Sequence, residues 1–171
     1  MTSRFFALLL AFPLLCPSLA QGAEPLAKVM VFVAVDCPIA NRYAPELNRL
    51  REDYVGKKIE FLLVYPEPSL TENEVNQHLA DHALTLPFMI DRRHRLVKQA
   101  GVTTTPEVAV FGASDEILYR GKIDNLFSDY GERRRRATET YLRDALDAIL
   151  RGDPPAISTT DPIGCLIEEL P

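Results

Sequence analysis

Two apolar, largely β-branched runs constrain this chain more than anything else in it. Lys28 to Val35 (KVMVFVAV) and Ile59 to Tyr65 (IEFLLVY) lack the regular apolar–polar alternation of a half-exposed strand. A strand with one face in water alternates, and a strand covered on both faces does not. Between the runs, Ile39, Tyr43, Leu47, Leu50 and Tyr54 recur at spacings of three and four, and Gly56 closes the stretch. That is the apolar stripe and stop signal of a helix, which Pro45 is expected to kink. Strand, helix and strand in this order require a crossover and a parallel pair, with the helix laid on one face of the sheet.

The rest of the chain extends the pattern. Thr71-Glu72-Asn73-Glu74 reads as a capping box opening a helix to about Ala83. Leu86 to Ile90 is a short strand, and Asp91 is expected to cap a helix ending before Gly101. Glu107 to Phe111 and Ile117 to Arg120 flank the turn residues Gly112-Ala113-Ser114-Asp115, which predicts a hairpin. Leu142, Ala145, Leu146 and Ile149 share one face of a last helix running from near Thr138 to Gly152. The order β-α-β-α-β-α-β-β-α predicts an α/β fold in three layers, a central mixed sheet with helices on both faces. With 171 residues, 47% of them hydrophobic, the chain suits one core. Residues 21–152 are expected to form this domain, and 153–171, which carry four prolines and Cys165, an extended tail.

The first twenty residues have a different character. Arg4 precedes an almost uniformly apolar stretch from Phe5 to Leu15, and Ser18-Leu19-Ala20 offers small residues where a signal peptidase cuts. Residues 1–20 are therefore expected to be a signal peptide, and the mature chain to be periplasmic or otherwise exported. No transmembrane segment is expected in that mature chain, because no stretch reaches the length that spanning needs. Removal of Cys16 with the leader leaves Cys37 and Cys165, a pair that an oxidising compartment can link. A net charge of −5 argues against a nucleic-acid partner.

In open sheets of this kind chemistry gathers at the carboxyl ends of the strands, and Asp36-Cys37-Pro38 follows the first strand directly. Proline pushes the residue before it into an extended conformation and suits the first helical position itself. Cys37 is thus expected at the N-cap and Pro38 in the first turn, with the free amides of Ile39 and Ala40 aimed at the sulfur. Those amides and the helix dipole favour a thiolate, the form that attacks disulfides and peroxides. Asn41, one turn along, is a candidate additional donor, while the Asp36 carboxylate works against the charge. The alternative is a small buried hydrophobe, the common fate of free cysteine.

Asp36 to Glu46 (DCPIANRYAPE), Tyr119 to Asp124 (YRGKID) and Gly164-Cys165-Leu166-Ile167, together with Thr105-Pro106 ahead of a later strand, resemble exported thioredoxin-like redoxin-domain proteins of the AhpC/TSA type. The resemblance covers about Ala27 to Leu150. It implies a cis Pro106 whose loop lies against the reactive sulfur, with the Thr105 backbone free to pair with a substrate strand. It also implies thiol–disulfide exchange with protein or small-molecule thiols and disulfides, without a cofactor. In some relatives the module precedes haem-binding or copper monooxygenase domains, and here it is expected to stand alone.

Two departures from the pattern shape the expected mechanism. Ala40 stands where a thioredoxin dithiol has its second cysteine, and Met30 and Ala34 stand where peroxiredoxins place Pro and Thr or Ser. Peroxidase chemistry is accordingly not expected, and Cys165 becomes the candidate resolving cysteine for Cys37. A permanent structural disulfide and a free tail thiol are the alternatives. A Cys37–Cys165 bond would close a long loop, stabilising by on the order of 4–5 kcal/mol in the chain-entropy account.

Other features compete for attention. His78 and His82, four apart on the second predicted helix, fall short of a complete metal site, and an exposed helix face is expected there. No metal ligand is assigned, although a copper-binding or copper-delivery protein using Cys37 and a histidine is the main competing function. A non-catalytic interaction module is the other. Arg133 to Arg136, placed at the start of the last helix, is expected to be a solvated face, and His94 is given no role. The oligomeric state is left open.

Overall fold

The computed structural model describes residues 24–170, so the expected signal peptide lies outside the described residues. β1 (Ala27–Phe32) leads into two helices, α1 (Pro38–Arg42) and α2 (Ala44–Tyr54). β2 (Ile59–Tyr65), α3 (Glu72–Asp81), β3 (Phe88–Ile90) and α4 (Arg95–Ala100) follow. The two-residue strand β4 (Thr104–Thr105) precedes the hairpin of β5 (Glu107–Gly112) and β6 (Ile117–Gly121). A small hairpin, β7 (Phe127–Asp129) with β8 (Glu132–Arg133), then α5 (Tyr141–Arg151) and the two-residue strand β9 (Cys165–Leu166), complete the described elements.

Five strands form the main sheet in the order β3-β2-β1-β5-β6. β1 pairs parallel to β2 and antiparallel to β5, so the sheet is mixed, as the element order implies. Because successive side chains of a strand alternate in direction, β1 serves two layers at once. Val29 and Val31 join a large core with Leu47, Leu50, Leu142 and Leu146 from α2 and α5. Met30 and Phe32 pack instead with Val97 and Ala100 of α4. Burial on both faces is why this run shows no alternation.

Local structure differs from expectation at four places, each with a physical reason. The single helix expected over Ile39–Tyr54 is two, because Pro45 near the start of α2 has no N–H to continue the hydrogen-bond ladder of α1. Asp91 does cap α4, accepting from the amides of Arg95, Leu96 and Val97 at 2.8–3.0 Å, but the helix starts only after His94, which takes a left-handed turn. Arg133 lies in the β7–β8 hairpin rather than at the start of α5, and the arginine run is exposed as expected. His78 is buried (6% exposed), and His82 sits past the end of α3 at its C-cap. The expected exposed pair on a helix face is therefore incorrect.

The tail is extended but docked. Arg120 pairs in parallel with Thr159, and the Thr160 amide donates to the Arg120 carbonyl. Thr160 Oγ1 accepts from the Lys122 amide at 2.8 Å and meets Tyr119 Oη at 2.9 Å. Gly121, at φ +136°, lies so close to Thr160 that any Cβ would overlap it, so the tail can follow the sheet edge only past a glycine.

Leu146 is fully buried where α5 meets the large core. Leu146→Ala is expected to lower unfolding stability by roughly 2–5 kcal/mol. In urea titrations the midpoint should fall while the slope stays constant.

Candidate active site

Cys37 caps α1 from the carboxyl end of the central strand. Its backbone is extended (φ −81°, ψ 107°), Pro38 occupies the first turn, and the Ala40 amide reaches its Sγ at 3.5 Å. Asn41, the expected extra donor, gives Nδ2 to the Val35 carbonyl at 3.0 Å instead. It thereby holds the loop that delivers the cysteine.

The Thr105–Pro106 peptide is cis, and the Thr105 carbonyl oxygen lies 3.0 Å from Cys37 Sγ. The tail arrives over the same turn. β9 pairs antiparallel with β4, setting Cys165 opposite Thr105 and Leu166 opposite Thr104, and the Ile167 amide donates to the Thr103 carbonyl. Gly164 makes this approach feasible, since a Cβ there would overlap the Thr105 carbonyl. As a result Cys165 Sγ stands 2.8 Å from Cys37 Sγ across 128 positions of sequence. Cys37 is completely buried beneath it, while Cys165 is half-buried; both are free thiols.

The two sulfurs have different partners. Cys165 S–H donates to Cys37 Sγ, and Cys37 S–H can donate onward to the Thr105 carbonyl. Burial pushes the Cys165 thiol up to about 12, with the hydrogen bond to Cys37, the Cys37 charge and the Asp36 carboxylate adding to the shift. Cys165 therefore keeps its proton through the neutral range while docked.

Supporting residues lie deeper. Asn41 Oδ1 accepts from His78 Nε2 at 2.7 Å, which leaves His78 Nδ1 to accept from the Tyr65 hydroxyl at 2.9 Å. Both ring nitrogens are thus occupied, in the neutral state. Burial holds the His78 imidazole below its ordinary pKa, and neighbouring His82 adds to the effect. Glu107, next after Pro106, accepts from the Thr103 and Thr104 amides at 2.9 and 3.3 Å and so braces the approach to the cis turn. Burial raises its carboxyl above the usual range, against the pull of those amides and Arg120.

The structure brings Cys37, Cys165, Thr105 and the adjoining Pro106 together, and places Pro38 and Asn41 on the helix behind them. Sequence reasoning missed the bracing roles of His78, Tyr65, Glu107 and Gly164. A carboxylate opening the otherwise apolar run EVAVF was a legible sign that Glu107 has buried partners. Among the described residues no cluster of three or more His, Cys, Asp or Glu is arranged to hold a metal ion. No described helix is long and apolar enough to cross a membrane.

A mixed sheet with a cysteine-capped helix set against a cis-proline turn defines a thioredoxin-like protein. Residues 18–132 match the Redoxin family, and the chain belongs to that family. An uncharacterized conserved protein from Geobacillus kaustophilus is similar at 24% identity and a TM-score of 0.72, covering 86% of this chain and 79% of that one. A hypothetical protein from Sinorhizobium meliloti is similar at 22% identity and a TM-score of 0.74, covering 86% and 81%. A secreted Mycobacterium tuberculosis disulfide oxidoreductase homologous to E. coli DsbE shares the fold at 13% identity and a TM-score of 0.50, covering 75% and 83%. No curated protein matches the chain.

Because His78 is held neutral, the unfolded chain binds a proton more readily than the folded one. Its contribution to stability is full above about pH 6.5 and falls as the pH drops below that value. His78→Gln should therefore show a shallower loss of stability between about pH 7 and 5, read by urea unfolding at each pH.

Proposed function

We propose that this chain is an exported thiol–disulfide oxidoreductase whose working dithiol is Cys37 and Cys165. The observation that carries the reading is the 2.8 Å approach of the two sulfurs, produced by a tail strand bonded to the cis-proline turn. Cys37 caps the mouth of α1, where it stays when the tail lifts, so Cys37 is the nucleophile of the pair. The Ala40 amide stabilises negative charge on its sulfur in both states of the tail, and the Cys165 S–H adds to this only while docked.

Cys37 is buried beneath Cys165, so in this reading the tail must lift before a substrate reaches it. The β4–β9 ladder is two residue pairs long, so lifting the tail there disturbs little else. Cys37 then attacks a substrate disulfide and forms a mixed disulfide with one half. The departing half takes the proton released by Cys37. When the tail returns, Cys165 attacks the Cys37 sulfur, its proton passes to the second departing thiol, and the Cys37–Cys165 bond closes. Two electrons and two protons have passed to the substrate, and the reverse sequence oxidises a substrate dithiol. Thr105 and Pro106 form the platform, and a substrate strand would take the place of β9 on β4.

Residues 21–152 are the folded module in this reading, and 153–171 the arm that carries the resolving thiol. Export is supported by the pattern over residues 1–20 and by a cysteine pair suited to an oxidising compartment. Copper delivery is less well supported, because both nitrogens of His78 are already engaged.

Mild oxidation should yield one intramolecular Cys37–Cys165 disulfide by peptide mapping. Cys37→Ser should reduce exchange with a model disulfide to background, and Cys165→Ser should accumulate a mixed disulfide on Cys37. Exchange by the wild-type chain no faster than by Cys37→Ala, with an unchanged phenotype in that variant, would overturn the proposal in favour of a non-catalytic interaction module.

A further inference from the structure

A groove of about 420 Å³ opens beside Cys165, between the loops at the carboxyl ends of β1 and β2 and the end of the tail. Four carboxylates line it: Asp36, next to the buried cysteine; Glu67, on the loop after β2; and Glu168 and Glu169, just past β9. All four are exposed, and none is in an ion pair among the described residues. No lysine or arginine lines the groove. Its one imidazole, that of His94, is buried and bonded through Nε2 to the Pro66 carbonyl at 2.7 Å. The remaining lining is apolar at Leu166, which is 81% exposed.

We infer that this groove selects the disulfide substrate by charge, favouring cationic disulfides over anionic ones. The inference rests on the exchange reading above and names the substrate class of that same site. A disulfide approaching the two sulfurs along this groove meets lining charges of one sign; Arg92, not among the lining residues, donates from Nη1 to the carbonyl of lining Pro68. A concave wall of low dielectric concentrates such a field, raising the local concentration of a cation and lowering that of an anion. The field reaches the chemistry itself, since the Asp36 charge contributes to the raised pKa of Cys165. Lifting the tail removes Glu168 and Glu169 from their docked positions but leaves Asp36 and Glu67 on the body of the domain. An amine-bearing substrate is therefore still attracted once the site has opened, while a carboxylate-bearing one is repelled at both stages.

The chemistry is unchanged by the choice of substrate. The reduced pair gives two electrons to the disulfide, its sulfur–sulfur bond breaks, two thiols leave with the two protons, and the Cys37–Cys165 bond forms.

The test oxidises the reduced full chain with three small disulfides: cystamine, a dication; 2-hydroxyethyl disulfide, which is neutral; and dithiodiglycolate, a dianion. Each rate is divided by that of 2-mercaptoethanol, a neutral thiol, with the same disulfide, which cancels intrinsic reactivity. At low ionic strength the normalised rates should fall in the order cation, neutral, anion, with the extremes differing by about tenfold or more. The spread should contract in about 0.5 M salt, where screening is short-ranged. The double variant Asp36→Asn with Glu67→Gln should bring the cation-to-anion ratio towards one. Equal or reversed rates, or a ratio unmoved by salt and by the double variant, overturn the charge selection and leave exchange standing. Failure to react with all three overturns the exchange reading and this inference with it.

Discussion

Burial of β1 on both faces is the constraint from which the rest of this molecule follows. One strand pairs with β2 on one edge and β5 on the other, and packs under α2 and α5 on one side and α4 on the other. Nothing along it can shift by a residue without turning valines out of one core and into another. Whatever emerges from its carboxyl end is therefore delivered to a defined point, and what emerges is Cys37. Pro38 then converts that point into the mouth of a helix.

A second constraint acts at the cis-proline turn, where the chain closes on itself. The Thr105 carbonyl contacts the Cys37 sulfur, and the rest of its edge bonds β9. Gly164 lets two backbones come into contact there, and Gly121 does the same further back along the tail. These two glycines matter because side-chain atoms would otherwise hold the tail away from the sheet. Their combined effect is to place one thiol over another and to hide the inner one. The pair then differs in kind: the outer sulfur is held protonated by burial, and the inner one collects donors.

The support behind the site is polar and buried. Tyr65, His78 and Asn41 form a line of hydrogen bonds ending on the Val35 carbonyl, and Glu107 gathers the amides before the turn. A buried hydrogen-bonded network of this sort holds geometry more than it adds stability. Both halves of the site, the loop before Cys37 and the loop before Pro106, are held in this way from the side away from solvent. The groove in front of them is framed by carboxylates that make no ion pair among the described residues, so a hydrogen-bonded inner face meets a charged outer one.

Much of this was legible in the linear order of residues. The missing alternation of KVMVFVAV, the three-and-four spacing after it, the Thr71–Glu74 box and the Gly112–Asp115 turn are local signals, and the corresponding elements are present. Cys37 at an N-cap with Pro38 behind it follows from two adjacent residues, so it too could be read directly. Pro45 announced a disturbance near Tyr43, but the burial of His78 and the hairpin holding Arg133 could not be read, because helical spacing is blind to which face a neighbouring element will cover. Sequence by itself determined the class of fold and the position of Cys37 at the mouth of a helix, since each depends on residues a few places apart. Tertiary structure alone decided that Cys165 would lie over Cys37, because that contact depends on a tail 128 positions away being paired to the sheet edge and the cis-proline turn.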